Sequence, residues 1–161
     1  MEAGTGARKI VLGLGNTLNR DEGLGVAALE PLRERLGEGR GDVEILDGGV
    51  LGLDLLPLVE SCSHLLLVDA VDAGAAPGTV VELAKDEIPL FAKRKLSWHQ
   101  LSFQEVLQLA AVREKLPGRL HLVGAQPADI SVGLGLSPEA AAALPEIADR
   151  AVRILESWGL V

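Results

Sequence analysis

Short aliphatic runs alternate along this chain with longer stretches in which apolar and polar residues are mixed. Strands buried on both faces of a parallel sheet are apolar throughout, so each short run predicts a strand. The five runs are residues 9–15, 43–46, 64–68, 79–83 and 120–124. Glu82 makes the fourth run the most polar, and we expect this strand at an edge of the sheet.

The mixed stretches between the runs predict amphipathic helices. Apolar residues at four-residue spacing mark one buried helix face, and we expect this helix to start at Asn19 or Asp21. Pro31 lies inside it and should kink it, because proline lacks the N–H that an unbroken helix needs. Further helices are predicted at 53–59, about 98–112, and from Pro138 to about Trp158. The residues at four-residue spacing are Leu24, Ala28, Leu32 and Leu36.

This alternation of strands and helices predicts a three-layer α/β sandwich. We expect a five-stranded, mostly parallel, twisted sheet with helices on both faces, of the phosphorylase/hydrolase-like kind. Residues 1–7 read as a flexible N-terminal tail and residues 8–161 as a single domain. A chain of 161 residues is long enough to bury a core of this kind.

Charge and composition exclude several classes of function. The net charge is −8, from 15 basic and 23 acidic residues, which opposes nucleic acid as a partner. Cys62 is the single cysteine, so the chain has no internal disulfide and no paired-cysteine metal site. No signal peptide and no apolar run of membrane-spanning length is found, and we expect a cytoplasmic protein.

Several polar side chains follow the predicted strands. Asp21 and Glu22 come soon after the first strand, Asp47 follows the second, and Asp69 follows the third. Because the carboxyl ends of parallel strands meet at one edge of the sheet, these carboxylates should gather there. Gly13-x-Gly15 lacks the third glycine of a dinucleotide fingerprint, and no P-loop is present. We therefore expect no organic cofactor.

His99 is the further candidate for chemistry. Ser97-Trp98-His99-Gln100 has the form of a capping box, which puts His99 in the first turn of its helix. The helix dipole disfavours a charged imidazole there, and a neutral imidazole suits a metal ligand or a base. Glu22, Asp69 and His99 would together suit a divalent transition metal.

Each candidate also has a plain structural interpretation. Glu22 in a first helical turn can simply complement the helix dipole, and Asp69 can be a capping residue. Asp47 before two glycines is a turn signal as much as a site. His99 can be a surface group near a helix start. His64 and His121 lie at strand starts and read as structural, and Cys62 as an inert, partly buried thiol.

Eight short segments in a fixed order carry a family resemblance. They resemble the hydrogenase maturation endopeptidases of nickel-iron hydrogenases, and the likeness runs from about Lys9 to the last helix. Gly124-Ala125-Gln126-Pro127 departs from the pattern of many relatives, and the roles of Asp72 and Gln126 stay unassigned. The segments are 13–18, 21–26, 47–49, 67–70, 77–79, 97–101, 122–124 and 135–138.

The resemblance implies an endopeptidase that removes the C-terminal extension of a nickel-loaded hydrogenase large-subunit precursor. It implies that Glu22, Asp69 and His99 contact the metal, which arrives with the substrate. Asp47, with Gly48 and Gly49, is implied in substrate binding, and Asp47 or Asp69 is the candidate catalytic base. Two alternatives remain open at this point: a peptidyl-tRNA hydrolase-like enzyme, and a non-catalytic, nickel-dependent chaperone of the precursor.

Overall fold

Five strands form one sheet in the order β2-β1-β3-β5-β4. The computed structural model describes residues 7–88 and 98–161, and the side chains of all of these except 98–102. Strands β1, β2, β3 and β5 run parallel, and β4 pairs with β5 in the antiparallel direction at the edge. The edge position predicted for the most polar strand is confirmed. The strands are β1 (Arg8–Leu14), β2 (Glu44–Gly49), β3 (Cys62–Ala70), β4 (Val80–Ala84) and β5 (Arg119–Ala125).

Strands β2 and β3 extend past their predicted ends far enough to include an aspartate each. Strand β2 continues through Asp47 to Gly49, and β3 continues through Asp69 to Ala70. Backbone pairing causes the extension, since Asp47 lies opposite Gly13 and Asp69 lies opposite Gly124. Both aspartates are therefore held in the sheet itself and not in a loop beyond it.

Residues 7–88 and 98–161 contain five α-helices, together with short 3-10 segments. The predicted first helix is a 3-10 turn followed by two α-helical pieces that separate at Ala28. Pro31 explains the break, because it offers no N–H to the carbonyl of Ala27 and its ring crowds that carbonyl. The α-helices are α1 (Leu24–Ala27), α2 (Leu29–Leu36), α3 (Leu56–Glu60), α4 (Trp98–Val112) and α5 (Pro138–Ser157); the 3-10 segments are Arg20–Gly23, Gly37–Arg40, Gly52–Leu55 and Lys85–Glu87.

The sheet has a separate hydrophobic core on each face. Successive side chains of a strand point to opposite faces, so Val11 packs with helices α1, α2 and α5 while Leu12 packs with α3 and α4. Leu66 and Leu67 of β3 divide in the same way. The predicted three-layer arrangement, with helices on both faces of a mostly parallel sheet, is confirmed.

Residues 1–6 and 89–97 lie outside the described residues. They include most of the predicted tail and Ser97, the predicted N-cap of the helix that carries His99. Helix α4 begins at Trp98, as predicted. Within 7–88 and 98–161, no helix combines the length and the apolar character needed to cross a bilayer.

Candidate active site

The carboxyl ends of β1, β2 and β3 meet at one edge of the sheet, which we call the carboxyl edge. Asp47 lies two residues before the end of β2, and Asp69 lies one residue before the end of β3. Glu22 belongs to the 3-10 segment Arg20–Gly23, which follows β1 and packs against β3. The predicted gathering of these three residues at one edge is what the topology produces.

Two glycines fix the backbone of Glu22 over the ends of β1 and β3. Gly25 leaves no room for a side chain, because a Cβ there would collide with the carbonyl oxygens of Leu14 and Val68. Gly15 has a φ of +133° and lies directly against the carbonyl of Glu22. The segment that carries Glu22 is thus seated next to Val68, the residue before Asp69.

Asp69 is a buried carboxylate beside a small cavity. Its side chain is 4% exposed, and its Oδ1 accepts a hydrogen bond of 2.8 Å from the backbone N–H of Ala70. The cavity measures about 70 Å³, and most of the groups around it are aliphatic or aromatic. Electrostatic interactions are stronger in such apolar surroundings than in water. The cavity is lined by Leu14, Leu67, Asp69, Phe103, Gln104 and Leu122, among others.

His99 lies in the first turn of α4, but its side chain is outside the described residues. Phe103 and Gln104, in the following turn of α4, line the same cavity as Asp69. Among the described side chains, no three His, Cys, Asp or Glu residues form a group able to hold a metal ion. The three-ligand site therefore stays a prediction, with Glu22 and Asp69 on neighbouring backbone segments.

The Asp47-Gly48-Gly49 segment forms the last three residues of β2, where the pairing with β1 shifts its register, because Gly13 lies opposite Asp47 and Leu14 lies opposite Gly49. Asp47 is exposed, and its Oδ1 accepts a hydrogen bond of 2.8 Å from the N–H of Gly49. The carbonyl of Gly49 accepts a hydrogen bond of 3.0 Å from the N–H of Gly15. The turn read from the sequence at these three residues is wrong, because they still pair with β1 and the turn comes after them, at Val50. Asp47 lies at the surface of the carboxyl edge.

Asp21 has a structural role that sequence reasoning missed. It is fully buried, and its Oδ2 accepts hydrogen bonds from the N–H groups of Ala128 and Asp129 and from the Ser137 hydroxyl, at 2.7 to 3.1 Å. Its Oδ1 accepts a further hydrogen bond, of 2.8 Å, from the N–H of Ser137. Burial raises the pKa of Asp21, but these hydrogen bonds outweigh it and hold the pKa below its usual value.

Gln126 and Asp72, unassigned in the sequence, hold the loop after β3. The Gln126 Oε1 accepts hydrogen bonds from the N–H groups of Ala73 at 2.7 Å and Ala75 at 3.2 Å. Its Nε2 donates to Asp72 Oδ1 at 3.2 Å. These partners lie 51 to 54 residues apart in sequence, so no local pattern could have revealed them.

The remaining titratable candidates lie at the opposite edge of the sheet, which we call the amino edge. Burial raises the pKa of the Cys62 thiol to about 11, and its Sγ donates to the carbonyl of Leu58. Such a thiol is a poor nucleophile at neutral pH. His64 and His121 meet the ring of Trp158 edge-on, with centroids 5.6 and 6.5 Å apart. Their structural interpretation agrees with these contacts.

Comparison with known families gives one clear match. The family model described as hydrogenase maturation protease matches residues 26–154. That range begins after the 3-10 segment that carries Glu22, and it includes β2, β3, α4 and β5 with Asp47, Asp69 and His99.

Individual relatives agree with the family match. The hydrogenase expression/formation protein HupD of Rhizobium leguminosarum is 42% identical over 155 residues, which cover 95% of this chain and 76% of HupD. The hydrogenase 2 maturation protease of Escherichia coli is 36% identical over 156 residues, covering 95% of this chain and 93% of that protein.

Solved structures show the same fold. The hydrogenase-maturating endopeptidase HybD of Escherichia coli superposes with a TM-score of 0.84 at 35% identity, covering 94% of each chain. The hydrogenase maturation protease HybD of Thermococcus kodakarensis superposes with a TM-score of 0.73 at 27% identity, covering 91% of this chain and 98% of that one. The chain belongs to the hydrogenase maturation protease family, as an endopeptidase that processes the C-terminus of a hydrogenase large subunit.

Proposed function

We propose that Glu22, Asp69 and His99 bind the nickel ion of a nickel-loaded large-subunit precursor, so that this enzyme cuts only precursor that carries its metal. The observation that carries the proposal is the cavity shared by Asp69 and helix α4. Position 99 lies one turn before Phe103, on the same face of α4, and Phe103 lines that cavity. The seating of Gly15 and Gly25 keeps Glu22 beside the same edge.

The chemistry of the three residues fits nickel. Imidazole nitrogen has good affinity for nickel, and two carboxylates supply the negative charge that a divalent cation needs. Three protein ligands leave coordination positions for groups of the precursor. The metal belongs to the substrate, and its binding by the protease is a test of whether the precursor is loaded.

Peptide cleavage requires water and a base at the carboxyl edge. The oxygen of the water bonds to the scissile carbonyl carbon, the C–N bond breaks, and the proton of the water passes to the leaving amine. We assign the base to one of two carboxylates, Asp47 or Asp69. Asp47 is exposed at the carboxyl edge, and this accessibility supports its assignment, with Gly48 and Gly49, to substrate binding.

Family membership favours the peptidase over both alternatives left open by the sequence. A peptidyl-tRNA hydrolase-like enzyme would belong to another family, and a chaperone without cleavage would lack the endopeptidase activity of this one. The net charge of −8 also supports a protein partner and opposes a nucleic acid.

Incubation with nickel-loaded and nickel-free precursor tests the proposal. Mass spectrometry of the large subunit should reveal a shortened C-terminus only in the loaded sample, because the free precursor offers no ion for the three ligands. Equal trimming of both samples would show that cleavage does not depend on nickel in the precursor.

Variants of the three ligands test their assignment. We expect His99→Ala, Glu22→Gln and Asp69→Asn each to lower processing at least about 10²-fold while leaving the fold intact. His121→Ala and Glu38→Gln are matched controls, since His121 lies on the opposite side of the sheet from the carboxyl edge and Glu38 is exposed in a 3-10 segment far from it. Unchanged processing by His99→Ala would refute the ligand set.

A further inference from the structure

Exposed aliphatic side chains gather at the carboxyl edge. Of the ten large hydrophobic residues that are exposed in the described part of the chain, seven lie in segments that follow β1, β2 or β5. We call these seven the apolar rim. They are Leu18 after β1; Val50, Leu51 and Leu53 after β2; and Ile130, Val132 and Leu134 after β5.

Hydrogen bonds join the segment after β1 to the segment after β5, which both belong to the apolar rim. The N–H of Gly133 donates to the carbonyl of Leu18 at 2.9 Å, and the N–H of Arg20 donates to the carbonyl of Gly133 at 3.1 Å. The Asn19 side chain donates to the carbonyl of Ile130 at 3.2 Å. The aliphatic side chains of this part are therefore presented to solvent by an ordered backbone. Exposed apolar patches on folded proteins mark interaction sites.

The apolar rim adjoins the proposed nickel site. Leu18 precedes the 3-10 segment that carries Glu22, and the segment after β2 is joined to β1 by the hydrogen bond from Gly15 to Gly49. A protein that covers the rim is thus positioned over the edge where β3 ends with Asp69 and Ala70. The apolar rim and the proposed site of cleavage therefore lie at the same edge of the sheet.

Charges next to the apolar rim define the chemistry of its partner. Asp47, Asp54 and Asp129 are exposed among its aliphatic residues. Within 7–88 and 103–161, the basic side chain in the segments of the rim is Arg20, and it faces Asp129, with 3.6 Å between Nε and Oδ2. An apolar segment that carries basic side chains complements this surface, because unlike charges at the margin of an interface steer and orient its partner.

We propose that the apolar rim is the docking surface for the hydrogenase large-subunit precursor, and that it binds an apolar segment of the precursor flanked by basic side chains. This inference rests on the proposed function and adds where the precursor is held. Docking on the rim supplies affinity for the precursor, while the ligands and the base act on the bound chain. In steady-state kinetics, loss of docking should raise KM, whereas loss of a ligand or of the base should lower kcat.

The test uses a double variant of the apolar rim and a matched control. Val132→Asp with Leu134→Asp places two charges on side chains that are 83% and 77% exposed, so the fold should tolerate them. Val112→Asp is the control, because Val112 is 81% exposed and ends α4 at the amino edge. With nickel-loaded precursor of the host's own hydrogenase, we expect the double variant to raise KM about tenfold or more and leave kcat nearly unchanged. The control should match wild type in both.

Direct binding measurements separate this inference from the proposed function. If wild type binds the precursor without trimming it, the proposed function fails, and the docking surface is still judged by whether the double variant binds more weakly. If wild type trims the precursor and the double variant has the same KM and the same Kd, the docking surface is refuted and the function stands. Val132→Ile should keep wild-type KM. If the double variant only dissociates a wild-type dimer without changing KM, the rim binds a second copy and the inference is overturned.

Discussion

The two edges of the sheet differ in which side chains they bury and which they expose. At the carboxyl edge, Asp21 and Asp69 are buried while aliphatic residues such as Val132 are exposed. At the amino edge, charged pairs such as Arg8 with Glu44 are partly in water and Cys62 is buried. Burying a carboxylate costs free energy unless hydrogen bonds compensate, so the carboxyl edge is arranged at a cost that the amino edge avoids.

This difference indicates which edge carries function and which carries ordinary stability. Exposed aliphatic residues raise the free energy of a folded chain in isolation, as does a buried carboxylate whose hydrogen bonds do not compensate for its burial. Such features are expected at sites that bind a partner. Asp21 refines the comparison, because its four hydrogen bonds make it an anchor for the segment 128–137. Removing charge should therefore cost more stability at the carboxyl edge than at the amino edge.

The largest stability effect should come from Asp21→Ala. The substitution leaves four partly buried donors without their carboxylate, and a donor that stays buried and unsatisfied costs about 1–3 kcal/mol. Because some donors will find water, we expect a loss of about 3 kcal/mol in the free energy of unfolding. Urea denaturation measures it, and hydrogen exchange should become faster in 128–137. Asp149→Asn, an exposed carboxylate on α5, is the control and should change little.

Acid should weaken the same anchor. The pKa of Asp21 is lower in the folded chain than in the unfolded one, so its contribution is fully present above the unfolded pKa of about 4. It is lost as the pH falls through the lower, folded pKa. Asp21→Asn should therefore flatten the pH dependence of stability below about pH 4. Parallel curves for wild type and variant would contradict the anchor.

The sequence predicts local features of this fold better than distant contacts. Aliphatic runs identify five strands, Glu82 marks the edge strand, and Pro31 predicts the break in the first helix, because each depends on neighbouring residues. The anchor at Asp21 depends on donors 107 to 116 residues away, and no local pattern contains it. Likewise, the sequence gives no sign that Val132 stays exposed, since exposure depends on what the rest of the fold leaves uncovered.

The sequence likewise predicts one part of the candidate site and not the other. The rule that parallel strands end at one edge of the sheet predicts that Glu22, Asp47 and Asp69 lie at that edge. The rule leaves out how the segment of Glu22 is seated, which depends on Gly25 contacting the ends of two strands. The contact of His99 with a metal stays a prediction that rests on the resemblance and on its place in α4.

A smaller stability effect is expected from Cys62→Ala at the amino edge. The loss of a buried sulfur should lower the free energy of unfolding by about 1 kcal/mol. Processing should be unchanged, because a thiol with a pKa of about 11 is ionised in only about one part in 10⁴ at pH 7. Iodoacetamide at neutral pH should likewise leave processing intact. If Cys62→Ala kept the fold but lost cleavage, Cys62 would take part in processing. The claim that function belongs to the carboxyl edge would then be wrong.

The smallest effect should come from Glu44→Gln, although its ion pair has good geometry. Arg8 donates to both carboxylate oxygens of Glu44, at 2.9 and 2.7 Å, and this hydrogen bonding lowers the pKa of Glu44. Both side chains are 40% exposed, so water and salt screen the pair, and we expect a loss of about 0.5 kcal/mol in the free energy of unfolding. The contribution of the pair is present above the unfolded pKa of about 4.3 and disappears as the pH falls through the lowered folded value. The difference between wild type and variant should shrink in 1 M salt, where the screening length is about 3 Å. A loss as large as that of Asp21→Ala would mean that partly exposed charge at the amino edge stabilises the fold as strongly as buried charge at the carboxyl edge, and the contrast between the edges would fail.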